Sequence, residues 1–273
     1  MPDPLTILHL APHPDDEVIG APATLLRLRQ AGHRVVNLAC SLGRPDQQDR
    51  REIEVTEAAR RADFELQVLD PPLRISHGDD LELAQRELTD EVRRIVDTLD
   101  VRLVIAPTPH DGHYGHEVVG RAARDALCAD ASPPLWMWAI WAELALPTLF
   151  VPFGEQELAR ATFALSAHAG ETARNNYLDV LQPRGVIGRV LGAERVFGFG
   201  ETGRSVPYAE LLTEVAFGDG EWWAGAPREP DPKDPLDVVP RDRPVGWWMS
   251  APSFADRLKA ETKSLPEAPR ASS

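Results

Sequence analysis

Near its start the chain reads Leu5-Thr6-Ile7-Leu8-His9-Leu10-Ala11-Pro12-His13-Pro14-Asp15-Asp16-Glu17-Val18-Ile19-Gly20, an apolar run that stops at a histidine and three acids. Leu5 to Ala11 has the length and apolarity of a short buried strand. One imidazole and three carboxylates follow within five residues, punctuated by Pro12 and Pro14. In an open α/β sheet the carboxyl end of a strand is where ligands sit. His13 and Asp16 can converge on one point from a tight strand-to-helix turn. A neutral imidazole and a carboxylate are both good zinc ligands at neutral pH. Asp15 then lies beside the metal without binding it, as a proton-transfer base should. Helix capping accounts for one acid at such a turn, hardly for three.

Outward from this point, strand-like and helix-like stretches alternate. Pro22 can open a helix at its first turn, with Leu25, Leu26 and Leu28 on its apolar side and Gly32 just past its end. Val35 to Cys40 is a second strand, Arg50 to Ala62 a helix, and Glu65 to Leu69 a weaker third strand. Leu81 to Leu99 is amphipathic through Leu88, Val92, Ile95, Val96 and Leu99, and Arg102 to Ala106 is a fourth strand. Leu135 to Trp141 reads as a further strand and 155–179 as helical. This alternation predicts an α/β domain with a mostly parallel sheet flanked by helices. The first βα turn lacks the glycine-rich dinucleotide fingerprint, which argues against a nicotinamide or flavin role.

A second cluster follows the fourth strand: Pro107-Thr108-Pro109-His110-Asp111-Gly112-His113-Tyr114-Gly115-His116-Glu117. Three histidines and an aspartate lie within seven residues, and the helix expected from Val118 to about Leu127 aims its N-terminus at the same rim. One loop histidine is usually only solvated. Two His/Asp clusters at one sheet edge point to a shared metal site. His9 is expected in the core or at a strand end, His33 and His77 on surface loops, and His168 on a helix.

The formal charge of −14 argues against nucleic acid and anionic membrane as partners. No apolar run approaches the ~20 residues of a membrane span, and the opening Met-Pro-Asp-Pro carries no signal-type segment. Cys40 and Cys128 read as reduced core residues, which makes the cytoplasm the expected location. From Gly218 onward prolines and the pairs Trp222-Trp223 and Trp247-Trp248 predict an irregular Pro/Trp-rich extension, 218–273, wrapped on a domain of residues 1–217. The tryptophans would form a stacking platform or a homo-oligomer contact, and the tail from about Lys259 is expected to be disordered.

Ala11-Pro12-His13-Pro14-Asp15-Asp16-Glu17 resembles the Ala-His-Pro-Asp-Asp-Glu signature of the LmbE-like, GlcNAc-phosphatidylinositol de-N-acetylase family of zinc amidases. Arg51 and Glu54, followed by Ala58 and Ala59, resemble its Arg-x-x-Glu helix pattern, and Asp111 with His113-x-x-His116 its second motif. The resemblance spans roughly residues 5 to 200. It implies a Rossmann-like single domain that removes an N-acetyl group from an amino sugar or sugar-containing small molecule. Under it His13, Asp16 and His116 match the zinc ligands, Asp15 the general base, His113 a protonated transition-state residue, and Arg51 a sugar-binding side chain. Tyr114 and Gly115 stand where the family has Pro and Asp, leaving Asp111 or another acid to hold His113. Pro22 and Ala23 replace paired glycines, and Gly170-Glu171 replaces a Ser-Gln pair after His168. Two other readings accompany the main one. They are an amidase on a larger acyl or thiol-conjugate substrate, and a catalytically weakened metal-containing binding protein.

Overall fold

In the computed structural model, which describes residues 4–76 and 78–252, a nine-stranded sheet is the backbone of the molecule. Its parallel half comprises β1 (Thr6–Ala11), β2 (Arg34–Ala39), β3 (Glu65–Val68), β4 (Val101–Pro107) and β5 (Leu135–Trp138), in the spatial order β3-β2-β1-β4-β5. The helices between them are α1 (Pro22–Gln30), α2 (Gln48–Ala62), α3 (Leu81–Leu99) and α4 (Tyr114–Ala126). β1 is a continuous apolar run because both its faces are covered. Leu8 and Leu10 enter one core layer and Ile7 the other, as the two-residue period of a strand requires. On α3, Ala84, Leu88, Val92 and Ile95 form the buried stripe at helical spacing. Asp80 starts that helix by accepting the Leu83 N–H at 2.9 Å.

The strand order positions the site. From β1 the chain moves outward to β2 and β3, and α3 then carries it back across to lay β4 on the other side of β1. Loops leaving the carboxyl ends of β1 and β4 therefore diverge at the point where strand order reverses, and the crevice between them is the ligand position of such sheets. Both histidine clusters lie in these two loops. Gly120 lets α4 sit close on the end of β4, since a Cβ there would come 2.6 Å from the Pro107 carbonyl oxygen.

The rest of the chain extends the sheet with antiparallel strands. β6 (Leu149–Phe153) pairs with β7 (Tyr208–Gly218), which also pairs with β5 and β8 (Glu221–Gly225), and β9 (Arg241–Pro244) closes the edge. The expected boundary at 217/218 therefore falls inside a hairpin. Its two-residue turn, Asp219-Gly220, has φ of +56° and +77°, the Asp-Gly signal of a hairpin that the surrounding prolines obscure. Trp222 is buried against Phe217 and belongs to the core, while residues 226–240 have the irregular course expected of the whole extension. A short helix, α8 (Gly246–Met249), follows β9. The expected helical stretch 155–179 is broken into α5 (Glu155–Leu165), α6 (Ala169–Arg174) and the start of α7 (Leu178–Phe197). The disorder expected of the tail from Lys259 and the surface position expected of His77 fall outside the described residues. Cys128 is exposed rather than in the core, and His33 is buried, its Nδ1 accepting the Leu5 N–H at 3.1 Å. Among the described residues no helix is long and apolar enough to cross a membrane.

Candidate metal and catalytic site

After β1 the chain turns sharply. The Asp16 N–H donates to the His13 carbonyl at 3.2 Å, and Asp16 Oδ2 in return accepts the His13 N–H at 2.9 Å. Ser41 braces the turn from the end of β2 by donating to the Pro12 carbonyl at 2.9 Å. Asp15 has φ of +118° and ψ of −27°, backbone that residues with a Cβ seldom adopt. Its N–H donates to Glu17 Oε2 at 3.0 Å, and Glu17 Oε1 lies 2.6 Å from His168 Nε2. Glu17 thus supports the turn from beneath and does not cap the next helix.

The loop after β4 supplies the opposite wall. Asp111 is fully buried, and its Oδ1 accepts the N–H groups of Ile140 at 2.6 Å and Trp141 at 3.2 Å. Its Oδ2 stands 2.8 Å from His116 Nδ1. This ion pair turns the other ring nitrogen, His116 Nε2, to within 3.3 Å of Asp16 Oδ2, while His13 Nδ1 lies 3.2 Å from the same oxygen. α4 starts one turn earlier than expected, at Tyr114, so His116 sits in its first turn. Trp138 packs edge-on against His116 at 5.3 Å and donates its indole N–H to His9 Nε2 at 3.2 Å. His9 in turn contacts Asn37 Oδ1 through Nδ1 at 2.7 Å, which assigns the proton to Nδ1.

These donors fit a divalent metal. Two ligands roughly 2.0–2.2 Å from a tetrahedral ion lie about 3.3–3.6 Å apart, and the two separations to Asp16 Oδ2, 3.2 and 3.3 Å, approach that spacing. Asp111 on the far nitrogen of His116 is the kind of carboxylate that orients a ligating imidazole. One nitrogen from each of His13, His113 and His116 also lies within 4.8 Å of the other two. Two donor sets, one with Asp16 and one with His113, therefore share His13 and His116. Charge favours a cation at this point. Burial opposes a proton on His116, but the Asp16 and Asp111 carboxylates outweigh it and raise the pKa to about 10. Burial likewise works against charge on Asp16, yet His116 and His13 hold its carboxyl well below the usual range.

Asp15 and His113 flank these donors. Burial, then the neighbouring charges of Asp16 and Glu17, raise the Asp15 carboxyl well above its ordinary value, with Arg51 acting in the opposite direction. For His113, burial together with the nearby His13 and His116 lowers the pKa to about 3. Both influences work against the protonated state expected of it. Asp111 supports His116, not His113, whose Nδ1 is buried without a hydrogen-bond partner. Tyr114 and Trp141 stack on the His113 ring at 4.7 and 5.9 Å. Arg51, only 8% exposed, donates to the Pro14 carbonyl at 3.4 Å and pairs through Nε with Glu171 at 3.3 Å. Asp111 was legible as an acid in the motif but not as the partner of His116. Glu171 carried no sequence signal beyond a departure from the family pattern.

Gly115 has a steric reason. A Cβ there would come 3.0 Å from His13 Cε1 and Nε2 and 3.3 Å from His113 Cε1. Gly115→Ala is expected to push the His13 ring aside and weaken metal binding by roughly 10- to 100-fold, the usual effect of disturbing a ligand's support. Competition with a chromophoric chelator checks this, and an unchanged affinity would show that His13 moves freely.

Residues 8–127 match the family model described as PIG-L, GlcNAc-PI de-N-acetylase. Comparison with the curated protein sequences gave no significant match. Among solved structures, the chain is similar to N,N'-diacetylchitobiose deacetylase from Pyrococcus horikoshii, with 17% identity, 78% of this chain and 84% of that one covered, and a TM-score of 0.60. A zinc-inhibited form of teicoplanin deacetylase matches with 16% identity, 78% and 99% coverage, and a TM-score of 0.59. The 4-carboxy-2-hydroxymuconate hydratase of Pseudomonas putida matches with 18% identity, 77% and 95% coverage, and a TM-score of 0.54. At these identities the likeness is one of fold, and the hydratase makes clear that the fold alone assigns no reaction.

Proposed function

Since residues 8–127 match the GlcNAc-PI de-N-acetylase family model, we propose that the chain is a zinc-dependent hydrolase that removes an N-acetyl group from an amino sugar or sugar-containing small molecule. The observation that carries this reading is the convergence of His13, Asp16 and His116, with Asp15 and His113 beside them, at the reversal of strand order. His13, Asp16 and His116 would hold the metal, which when bound supplies Lewis-acid polarisation and an acidified water. Asp15 takes a proton from the attacking water on its carboxylate and returns it to the leaving amine nitrogen. Its burial favours the protonated form between those two steps. His113 donates an N–H hydrogen bond to the oxygen that gains charge, acting as a neutral imidazole. Trp141, 54% exposed beside His113, offers an apolar face to a sugar ring. The unpaired thiols Cys40 and Cys128 support a reducing, cytoplasmic setting.

Gly115 motivated the reading of a weakened binding protein, but the closeness of the His13 ring to where a Cβ would stand supports retention of a working site. Arg51 would give paired hydrogen bonds to sugar hydroxyls, a geometry that lysine does not copy. Arg51→Lys is expected to lower kcat/KM on the sugar substrate by about 10- to 100-fold, the range of a lost charge-assisted hydrogen bond. Metal content and hydrolysis of a minimal acetamide should stay close to wild type. Equal losses on both substrates would assign Arg51 to bracing Pro14 alone.

The reading is tested by incubating metal-loaded protein with a panel of N-acetyl amino sugars and their longer N-acyl analogues. Acetate and free primary amine in equal amounts from an N-acetyl sugar support it. Release from the longer acyl analogues alone would favour the amidase variant, and release from none would leave only binding.

A further inference from the structure

Glu17 and His168 are both 0% exposed and meet at 2.6 Å, although 151 residues separate them and neither belongs to either candidate donor set. Asp63, Asp100 and Asp219 also have positive φ, but at 48–63° they occupy the ordinary left-handed region of helix ends and turns. Asp15 at φ +118° does not, and such a conformation persists only where its surroundings over-determine it. Its carbonyl accepts the Val18 N–H at 3.0 Å, and its N–H donates to Glu17 Oε2 at 3.0 Å. Glu17 can serve as that acceptor only while its other oxygen is held, and His168 holds it. His168 is itself anchored at the α5–α6 junction. Its N–H donates to the Leu165 carbonyl at 3.0 Å, and its carbonyl accepts from the Thr172 N–H and hydroxyl at 2.9 Å each.

We propose that His168 and Glu17 are positioning residues, a buried pair that fixes the backbone of Asp15 and thereby aims its carboxylate at the reacting water. The proposal rests on the reading of Asp15 as general base. It extends the site from the β1 and β4 loops to the α5–α6 junction. Such a pair acts on orientation. Its loss should appear in kcat rather than in KM or metal content, and only while Asp15 can carry a proton.

A double-mutant cycle tests this, using His168→Leu, His168→Gln and Asp15→Asn in the metal-loaded full chain. His168→Leu is expected to lower kcat by roughly 100-fold, as a misplacement near 1 Å does, with KM within about threefold and the metal retained. His168→Gln, which keeps an N–H donor for Glu17, should recover most of kcat. In the Asp15→Asn background His168→Leu should add less than about a threefold loss. In metal-free protein the Asp15 amide resonance should shift and exchange faster in His168→Leu, and stay near wild type in His168→Gln. If His168→Leu does not fold, His168→Gln and the Asp15 amide carry the test, and a displaced, fast-exchanging amide in a folded His168→Gln would count against the proposal. Equal kcat losses in both backgrounds, or an unmoved Asp15 amide, would overturn it and leave the pair a core contact. Wild-type turnover in Asp15→Asn would instead remove the base reading, a failure separate from the amide result.

Discussion

Asp15→Asn is expected to lower kcat by roughly 10²–10⁴-fold, the usual contribution of a positioned general base, while zinc content and fold stay nearly unchanged. Asparagine has the same shape, and the N–H that Asp15 gives to Glu17 belongs to the backbone, so the turn survives the substitution. Asparagine also tolerates positive φ as well as aspartate does. What it cannot do is accept a proton. Burial and the charges of Asp16 and Glu17 already lift the Asp15 carboxyl well above its ordinary value, so the side chain is suited to hold a proton between attack and departure of the amine. Steady-state kinetics with elemental analysis of the same preparation check this. Wild-type kcat in Asp15→Asn would remove Asp15 from the mechanism.

The other large effect is expected from His116→Ala. His116 belongs to both candidate donor sets and is the residue through which the buried Asp111 reaches Asp16. Its removal takes away a ligand and leaves two nearby carboxylates without the positive partner that balances them. Metal affinity should fall by more than the roughly 10–100-fold that accompanies loss of a supporting contact. Removing one member of a buried charge pair also costs about 3–5 kcal/mol of stability, so the melting temperature should fall with the metal content. Metal analysis on the monodisperse folded fraction under mild chelation separates the two effects. Full stoichiometric zinc in that fraction would contradict the ligand assignment.

Most of the parallel half was legible in the chain because its signals are local. β1 and β4 are apolar on both faces and end in prolines, and each is followed within a few residues by its histidine cluster. That the two clusters meet follows from strand order, which alternation suggests but does not state. The antiparallel half was hidden. Asp219-Gly220 is a good hairpin signal, yet the prolines that follow made the whole segment read as irregular. His168 illustrates a different limit. Its tie to Glu17 spans 151 residues, and no periodicity or spacing encodes such a pairing. Gly115 read as a lost aspartate until the His13 ring beside it gave the missing Cβ a steric reason. Burial and two neighbouring imidazoles, one of them from the other loop, oppose a proton on His113, and motif reading alone registers none of these.

The proposed function makes this crevice a metal-dependent deacetylating centre. Its most direct test is acetate release from an N-acetyl amino sugar by the wild-type chain, measured after exhaustive chelation and again after one equivalent of zinc is returned. No release above background is expected from the chelated protein, and release should recover on reloading, with a primary amine formed for every acetate. Equal release before and after reloading, or none in either state from any N-acetyl sugar, would contradict it.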